Sequence, residues 1–176
     1  MRFARVLRDL SDFLEGQGLG YALIGGHALA ALGLARTTLD LDLVVESRGR
    51  EALVAYLETE GYATLHLSAG YSNHLHSNPE RGRIDCVYVG GETAAQLFAG
   101  VRHMTGPGGE TVPVPRPEHL AAMKAMAMKN DPERRLQEMA DILFLLGLPG
   151  VEQEAVRTYF DKLGLADDYD EIARSL

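Results

Sequence analysis

Apolar positions set the first half of the chain into alternating helices and strands. Phe3, Val6, Leu7, Leu10, Phe13 and Leu14 recur at helical spacing, which predicts an amphipathic helix over 2–15 that stops at Gly16, Gly18 and Gly20. Arg2, Arg5 and Arg8 fall on its other faces and read as solvated charge, with RNA contact as the alternative. Residues 21–24 are a short apolar strand cut off by Gly25-Gly26, and 28–32 are a short run of helix formers closed by Gly33. Residues 39–45 are apolar except at Asp40 and Asp42. A helix over 49–60 carries Leu53, Val54 and Leu57 and ends at Gly61. Strands follow at 62–67 and 71–77, then the turn signal NPERG, then RIDCVYV at 83–89.

The second half changes character. A short helix is expected at 92–98, and 105–117 reads as a Gly/Pro-rich loop with a short strand at 111–114. A helix then starts at Pro117 and runs to about 129, rich in Ala and Met, with Lys124 in its middle. Asp131 and Pro132 are a helix start, and 132–146 carry Leu136, Met139, Ala140, Leu143 and Phe144 as the predicted core stripe. Leu148-Pro149-Gly150 breaks the chain ahead of two small helices over 151–163 and 168–175, for which no site is assigned. The pattern predicts an α/β (α+β) fold: a mixed sheet backed by helices over 1–115, with a helical C-terminal part over 116–176 packed on it.

Asp40 and Asp42 interrupt a strand that is otherwise apolar. Strand alternation turns both to one face, with Val44, while Leu41, Leu43 and Val45 take the other. Two carboxylates so close repel, and a cation between them removes the cost. Mg²⁺ is held in this way, by one or two carboxylates together with substrate phosphates. Upstream, Gly25-Gly26 at a helix start leaves bare backbone N–H groups for an anion.

Composition narrows the classes. The chain has 176 residues, 46% of them hydrophobic, so it can build a core. One cysteine, Cys86, excludes an internal disulfide and fits a reducing compartment; with no leader-like or membrane-length apolar run, a cytoplasmic protein is expected. A net charge of −8 argues against a general DNA or RNA coat and leaves room for RNA met at a local basic patch.

The segment GGHALAALGLARTTLDLDLVV resembles the signature of the polymerase-β-type nucleotidyltransferase superfamily, and most of all the small bacterial branch of AbiEii-type toxins. The likeness is specific over 23–46, weaker to about 146, and absent from the last thirty or so residues. It implies a nucleotidyltransferase fold and transfer of a nucleoside monophosphate from an NTP to an acceptor hydroxyl. The implied ions are two Mg²⁺, with Mn²⁺ as a substitute, held by Asp40, Asp42 and a third carboxylate that matches Asp85, a candidate general base. Nucleotide-binding candidates are Gly25, Gly26, His27, Arg36, Thr38, Lys124 (Lys129 as runner-up) and Asp141, the last to orient the lysine. His27 either contacts phosphate or base or only caps its turn. For Asp85 the alternative is an aspartate satisfied by Arg81 or Arg83, and for Lys124 a side chain reaching solvent.

The implied acceptors are tRNA or a protein hydroxyl, in a toxin that an antitoxin protein would partner. A small drug, an aminoglycoside or lincosamide, is the alternative, and the acid balance suits a cationic one. His66, His74 and His76 on neighbouring strands raise zinc as a thought, but with no acidic or cysteine neighbour they read as a satisfied or partly exposed group near the site. Sugar-nucleotide glycosyltransferases also use Asp-x-Asp, yet they place a nucleotide-binding unit well ahead of it, and thirty-nine residues precede Asp40. A non-catalytic binding protein of the same fold is the last rival; all three carboxylates being present speaks against it.

Overall fold

The computed structural model describes residues 3–35, 38–106 and 109–176. The chain divides into two compact units, Met1–Pro115 and Arg116–Leu176. The first opens with α1 (Phe3–Gly16), β1 (Tyr21–Leu23), α2 (Gly25–Ala31) and β2 (Asp40–Glu46). It continues through α3 (Arg50–Thr59), β3 (Tyr62–Leu67), β4 (Tyr71–His76), β5 (Arg83–Val89), α4 (Gly91–Ala99), β6 (Arg102–Thr105) and β7 (Thr111–Val114). Five strands form one sheet in the order β1-β2-β5-β4-β3, and β6 and β7 pair with each other. Only β2 and β5 run parallel; β1–β2, β5–β4 and β4–β3 are antiparallel. Strand β6 falls in a stretch to which the sequence assigns no element, apart from Thr105 at the start of the predicted loop, because four residues ahead of a Gly/Pro turn are too short for a periodicity to show.

The sheet has two different faces. Leu41 and Leu43 of β2 and Ile84 and Cys86 of β5 are fully buried, while Asp40, Asp42 and Asp85 between them are part-exposed. The apolar face is covered by helices. Val6 and Leu10 of α1, Tyr56 and Leu57 of α3, Tyr62 and Ile84 line one tight cleft, and Phe13 stacks on Tyr56 at 4.1 Å. Each of these aliphatic side chains contributes about 1.5–3 kcal/mol on burial, so the helix-covered face fixes which way β2 and β5 turn.

The same buried face takes two histidine-strand residues. Ser72 Oγ meets Tyr88 OH at 2.7 Å and His74 Nε2 at 2.8 Å, and His74 Nδ1 meets Thr64 Oγ1 at 3.2 Å. Burial lowers the pKa of His74. His76 shares the His74 face and packs edge-on against Tyr62, with its Nδ1 accepting from the Asn78 amide. A bulge in β3 between Thr64 and His66 sends His66 to the opposite face, beside Tyr71. The expected histidine group near the site is therefore split: His74 and His76 lie on the face away from the aspartates.

The second unit holds α5 (Pro117–Asn130), α6 (Arg135–Leu146), α7 (Gln153–Leu163) and α8 (Ala166–Ala173). Pro117 opens α5, and Asp131 accepts from the Glu133 amide at 3.2 Å in the short turn ahead of α6. The predicted stripe of α6 is corrected. Its buried residues are Glu138, Asp141, Ile142, Leu145 and Leu146, and Leu136 is 78% exposed. Two acids belong to the inner face because a buried lysine meets them there. Arg135 pairs with Asp168 and Glu171, which ties α6 to α8. Among the described residues, no helix is long and apolar enough to cross a membrane.

Candidate active site

Register gathers the three aspartates. In the parallel pair, Asp42 stands directly opposite Asp85, and Asp40 opposite Arg83. Alternation then puts Asp40, Asp42, Arg83 and Asp85 on one face, opposite the face that carries Leu41, Leu43, Ile84 and Cys86. On β4, Asn73 is the register partner of Asp85. Asp85 Oδ1 accepts from Asn73 Nδ2 and from Arg83 Nε, both at 2.9 Å. The carboxylate beside it keeps the Arg83 guanidinium protonated well beyond its usual range. Of the two arginines considered for Asp85, Arg83 is the partner; Arg81 pairs with Glu60 at 3.0 Å.

The glycine turn is built against the aspartate strand. The Ile24 amide donates to the Asp42 carbonyl at 2.9 Å, so the chain enters the turn already paired with β2. Gly25 has φ +63°, and a Cβ there would lie 2.0 Å from Asp42 Oδ2. A Cβ on Gly26 would lie 2.8 Å from Thr38 Cβ. Glycine is thus required at both places by close approach, and at Gly25 by conformation as well. The Thr38 hydroxyl donates to the Asp40 carbonyl at 3.3 Å and steadies the start of the strand. Helix α2 begins at Gly25, so the glycine pair opens it.

His27 stacks on Phe3 of α1, ring centroids 3.8 Å apart, and burial lowers its pKa. It is a half-buried neutral ring at neutral pH, packed on the N-terminal helix. Arg36 lies outside the described residues.

The remaining two candidates belong to the second unit. Lys124 is buried, its Nζ 2.7 Å from Asp141 Oδ2 and 2.8 Å from Glu138 Oε2, and Arg134 meets Glu138 at 2.7 Å. Asp141 holds the lysine, as the sequence suggests, but Glu138 was not foreseen. It lies three residues before Asp141, so helical spacing alone would have placed both acids on one face. Lys124 does not run out to solvent. Lys129 donates to the Leu163 carbonyl at 2.6 Å, at the end of α7.

The donor set on the sheet face is three carboxylates, which suits a hard divalent cation such as Mg²⁺ or Mn²⁺. The close approach of Gly25 leaves no side chain between the turn and Asp42. As they stand, Asp85 is engaged by Asn73 and Arg83, and among the described residues no three His, Cys, Asp or Glu side chains converge closely enough to hold a metal.

No protein-family model matches the chain, and no curated protein matches it. Solved structures do. The antibiotic-resistance factor ANT(2″)-Ia superposes with a TM-score of 0.58 at 18% identity, over 99% of this chain and 92% of that one. The same factor in complex with adenylyl-2″-tobramycin gives 0.57 at 17%, over 98% and 96%. The lincosamide antibiotic adenylyltransferase LnuA, lincomycin-bound, gives 0.53 at 16%, over 66% and 82%. These likenesses are of architecture: a mixed five-stranded sheet with a helical C-terminal region, the nucleotidyltransferase fold, is the fold of this chain.

Proposed function

We propose that this protein is a nucleotidyltransferase that moves a nucleoside monophosphate from an NTP to an acceptor hydroxyl. The observation that carries the reading is the register of Asp42 on Asp85, with Asp40 on the same face of the sheet. Asp40 and Asp42 would hold one Mg²⁺ and Asp85 would share a second; such ions screen the triphosphate and make the acceptor hydroxyl more acidic. Mn²⁺ suits the same oxygens. In the reaction the acceptor oxygen bonds to the α-phosphorus, the bond to pyrophosphate breaks, and Asp85 takes the hydroxyl proton. Gly25 and Gly26 leave bare backbone beside Asp42 for phosphate to approach, with His27 next to them in sequence, Thr38 against Gly26, and Arg36 a further candidate for phosphate contact. We assign Lys124 and Asp141 first to the integrity of the second unit, where Glu138 completes their charge balance.

Two acceptor classes have support of different kinds. The net charge of −8 suits a cationic small molecule, as does the likeness in fold to a factor solved with adenylyl-2″-tobramycin. The segment GGHALAALGLARTTLDLDLVV favours RNA and a toxin with an antitoxin partner. The test is transfer of label from each α-labelled NTP, with Mg²⁺, to total tRNA and to a panel of aminoglycosides and lincosamides. Label on either pool that disappears in Asp42→Ala and in Asp85→Ala supports the reading and names the acceptor class. Absence of both transfer and Mg·NTP binding would sink it.

A further inference from the structure

The carboxylate face carries its own cation. Arg83 stands opposite Asp40 across the β2–β5 pair and two residues before Asp85 on the same side of β5. Its Nε donates to Asp85 Oδ1 at 2.9 Å. Three aspartates on one face repel one another, and a guanidinium bonded to one of them, Asp85, relieves part of that repulsion without any metal.

The way Arg83 is held distinguishes a temporary partner from a permanent one. Its side chain is 40% exposed against 17% for Asp85. It engages the carboxylate through Nε at a single oxygen rather than through a two-pronged fork, the stronger arrangement open to arginine. Asn73 donates to that same oxygen from β4, and its side chain is buried. A neutral, buried amide therefore orients Asp85, while a part-exposed arginine, which also meets the Tyr71 side chain, balances its charge through one bond to one oxygen. On this geometry, removing Arg83 should leave the Asn73 bond to Asp85 in place and the charge of Asp85 unmet.

We propose that Arg83 is an exchangeable counter-ion: it holds Asp85 in the metal-free protein and leaves as a divalent cation enters, so the affinity of the face for metal is set by this exchange. The proposal rests on the nucleotidyltransferase reading. Asn73 keeps Asp85 aimed throughout, and Arg83 is a positioning residue that acts through Asp85. Neutralising Arg83 makes the metal-free face more repulsive and the metal more welcome. Metal affinity and metal-free stability then move in opposite directions in one variant, which a merely structural arginine would not produce.

The experiment is titration with Mn²⁺ alone, reading free Mn²⁺ by electron paramagnetic resonance, in parallel with thermal unfolding. Arg83→Gln should bind Mn²⁺ roughly tenfold more tightly than the wild type, a coupling of ordinary size between two sites. Without metal it should melt below the wild type, and Mn²⁺ should raise its melting temperature by more. Arg83→Lys, which keeps the charge, should bind Mn²⁺ close to the wild type. In an Asp85→Asn background the Arg83→Gln gain should largely vanish. An unchanged or weaker Mn²⁺ affinity in Arg83→Gln overturns the proposal while wild-type binding leaves the nucleotidyltransferase reading standing. So does an equal gain in the Asp85→Asn background, since Arg83 would then act as a diffuse field. If the wild type binds neither Mn²⁺ nor Mg·NTP, both fall together.

Discussion

Replacing Gly25 by alanine tests the join between the glycine turn and the aspartate strand. Gly25 sits at φ +63°, and its new Cβ would lie 2.0 Å from Asp42 Oδ2, where real Cβ contacts essentially never come under 3.0 Å. Asp42 must therefore retreat by about 1 Å, a displacement that costs a reacting constellation about a hundredfold in rate. Gly18 supplies the control. Its φ is +62° and a Cβ there meets nothing within 4 Å. Gly18→Ala thus isolates the backbone cost of the left-handed conformation, about 1–2 kcal/mol. For a chain of this size that is a fall in melting temperature of about 2–8 °C. Gly25→Ala should add about 1–3 kcal/mol for overpacking against Asp42. Thermal unfolding measures the first quantity and the label-transfer rate the second. Gly18→Ala should transfer label at the wild-type rate, and Gly25→Ala about a hundredfold more slowly. If the two variants melt alike and transfer alike, the contact with Asp42 places no constraint on the site and the argument from glycine is refuted.

Two other outcomes follow from the buried charges. Lys124→Met should cost about 3–5 kcal/mol in denaturant unfolding, because it leaves the buried acids Glu138 and Asp141 short of their shared cation; a loss under about 1 kcal/mol would mean that Arg134 alone suffices. Stability should also fall on acidification. Burial lowers the pKa of His27, His74 and His119 below the ordinary 6.5. Below that pH the unfolded chain binds protons that the folded chain refuses, so each histidine removes up to about 1.4 kcal/mol of stability per pH unit until its own folded pKa is reached. Urea unfolding at about pH 7.5 and about pH 5.5 checks this, and equal midpoints would contradict it.

Strand alternation made the aspartate face readable in advance. Asp40 and Asp42 had to share a side, and Asp85 had to oppose Ile84 and Cys86, whatever the sheet around them. Their meeting was not readable, because register between strands more than forty residues apart is a tertiary outcome. The misread parts have local causes. An extra residue in β3 turned His66 away from His74, and no spacing rule marks a bulge that lacks glycine. In α6 the apolar residues pointed to one stripe, while Glu138 and Asp141 took the buried side because Lys124 was there to meet them. A sequence pattern ranks a buried acid as surface until its partner is known.

The topology also sets an order of assembly. Strands β3 and β4 are joined by a three-residue turn, closed by the Ser68 amide on the Tyr71 carbonyl at 2.8 Å, and can pair as soon as that turn forms. The β2–β5 pair closes a loop that contains α3, β3 and β4, with the larger loop-closure cost that such a separation carries. The half of the sheet that brings Asp42 to Asp85 is thus expected to close after the β3–β4 hairpin. Substitutions at Leu43 or Cys86 should then speed unfolding more than they slow folding, and those in the β3–β4 hairpin should do the reverse, as stopped-flow kinetics would show. Arg83 travels on the same strand as Asp85, so the charge that steadies the aspartates arrives in the very step that crowds them together.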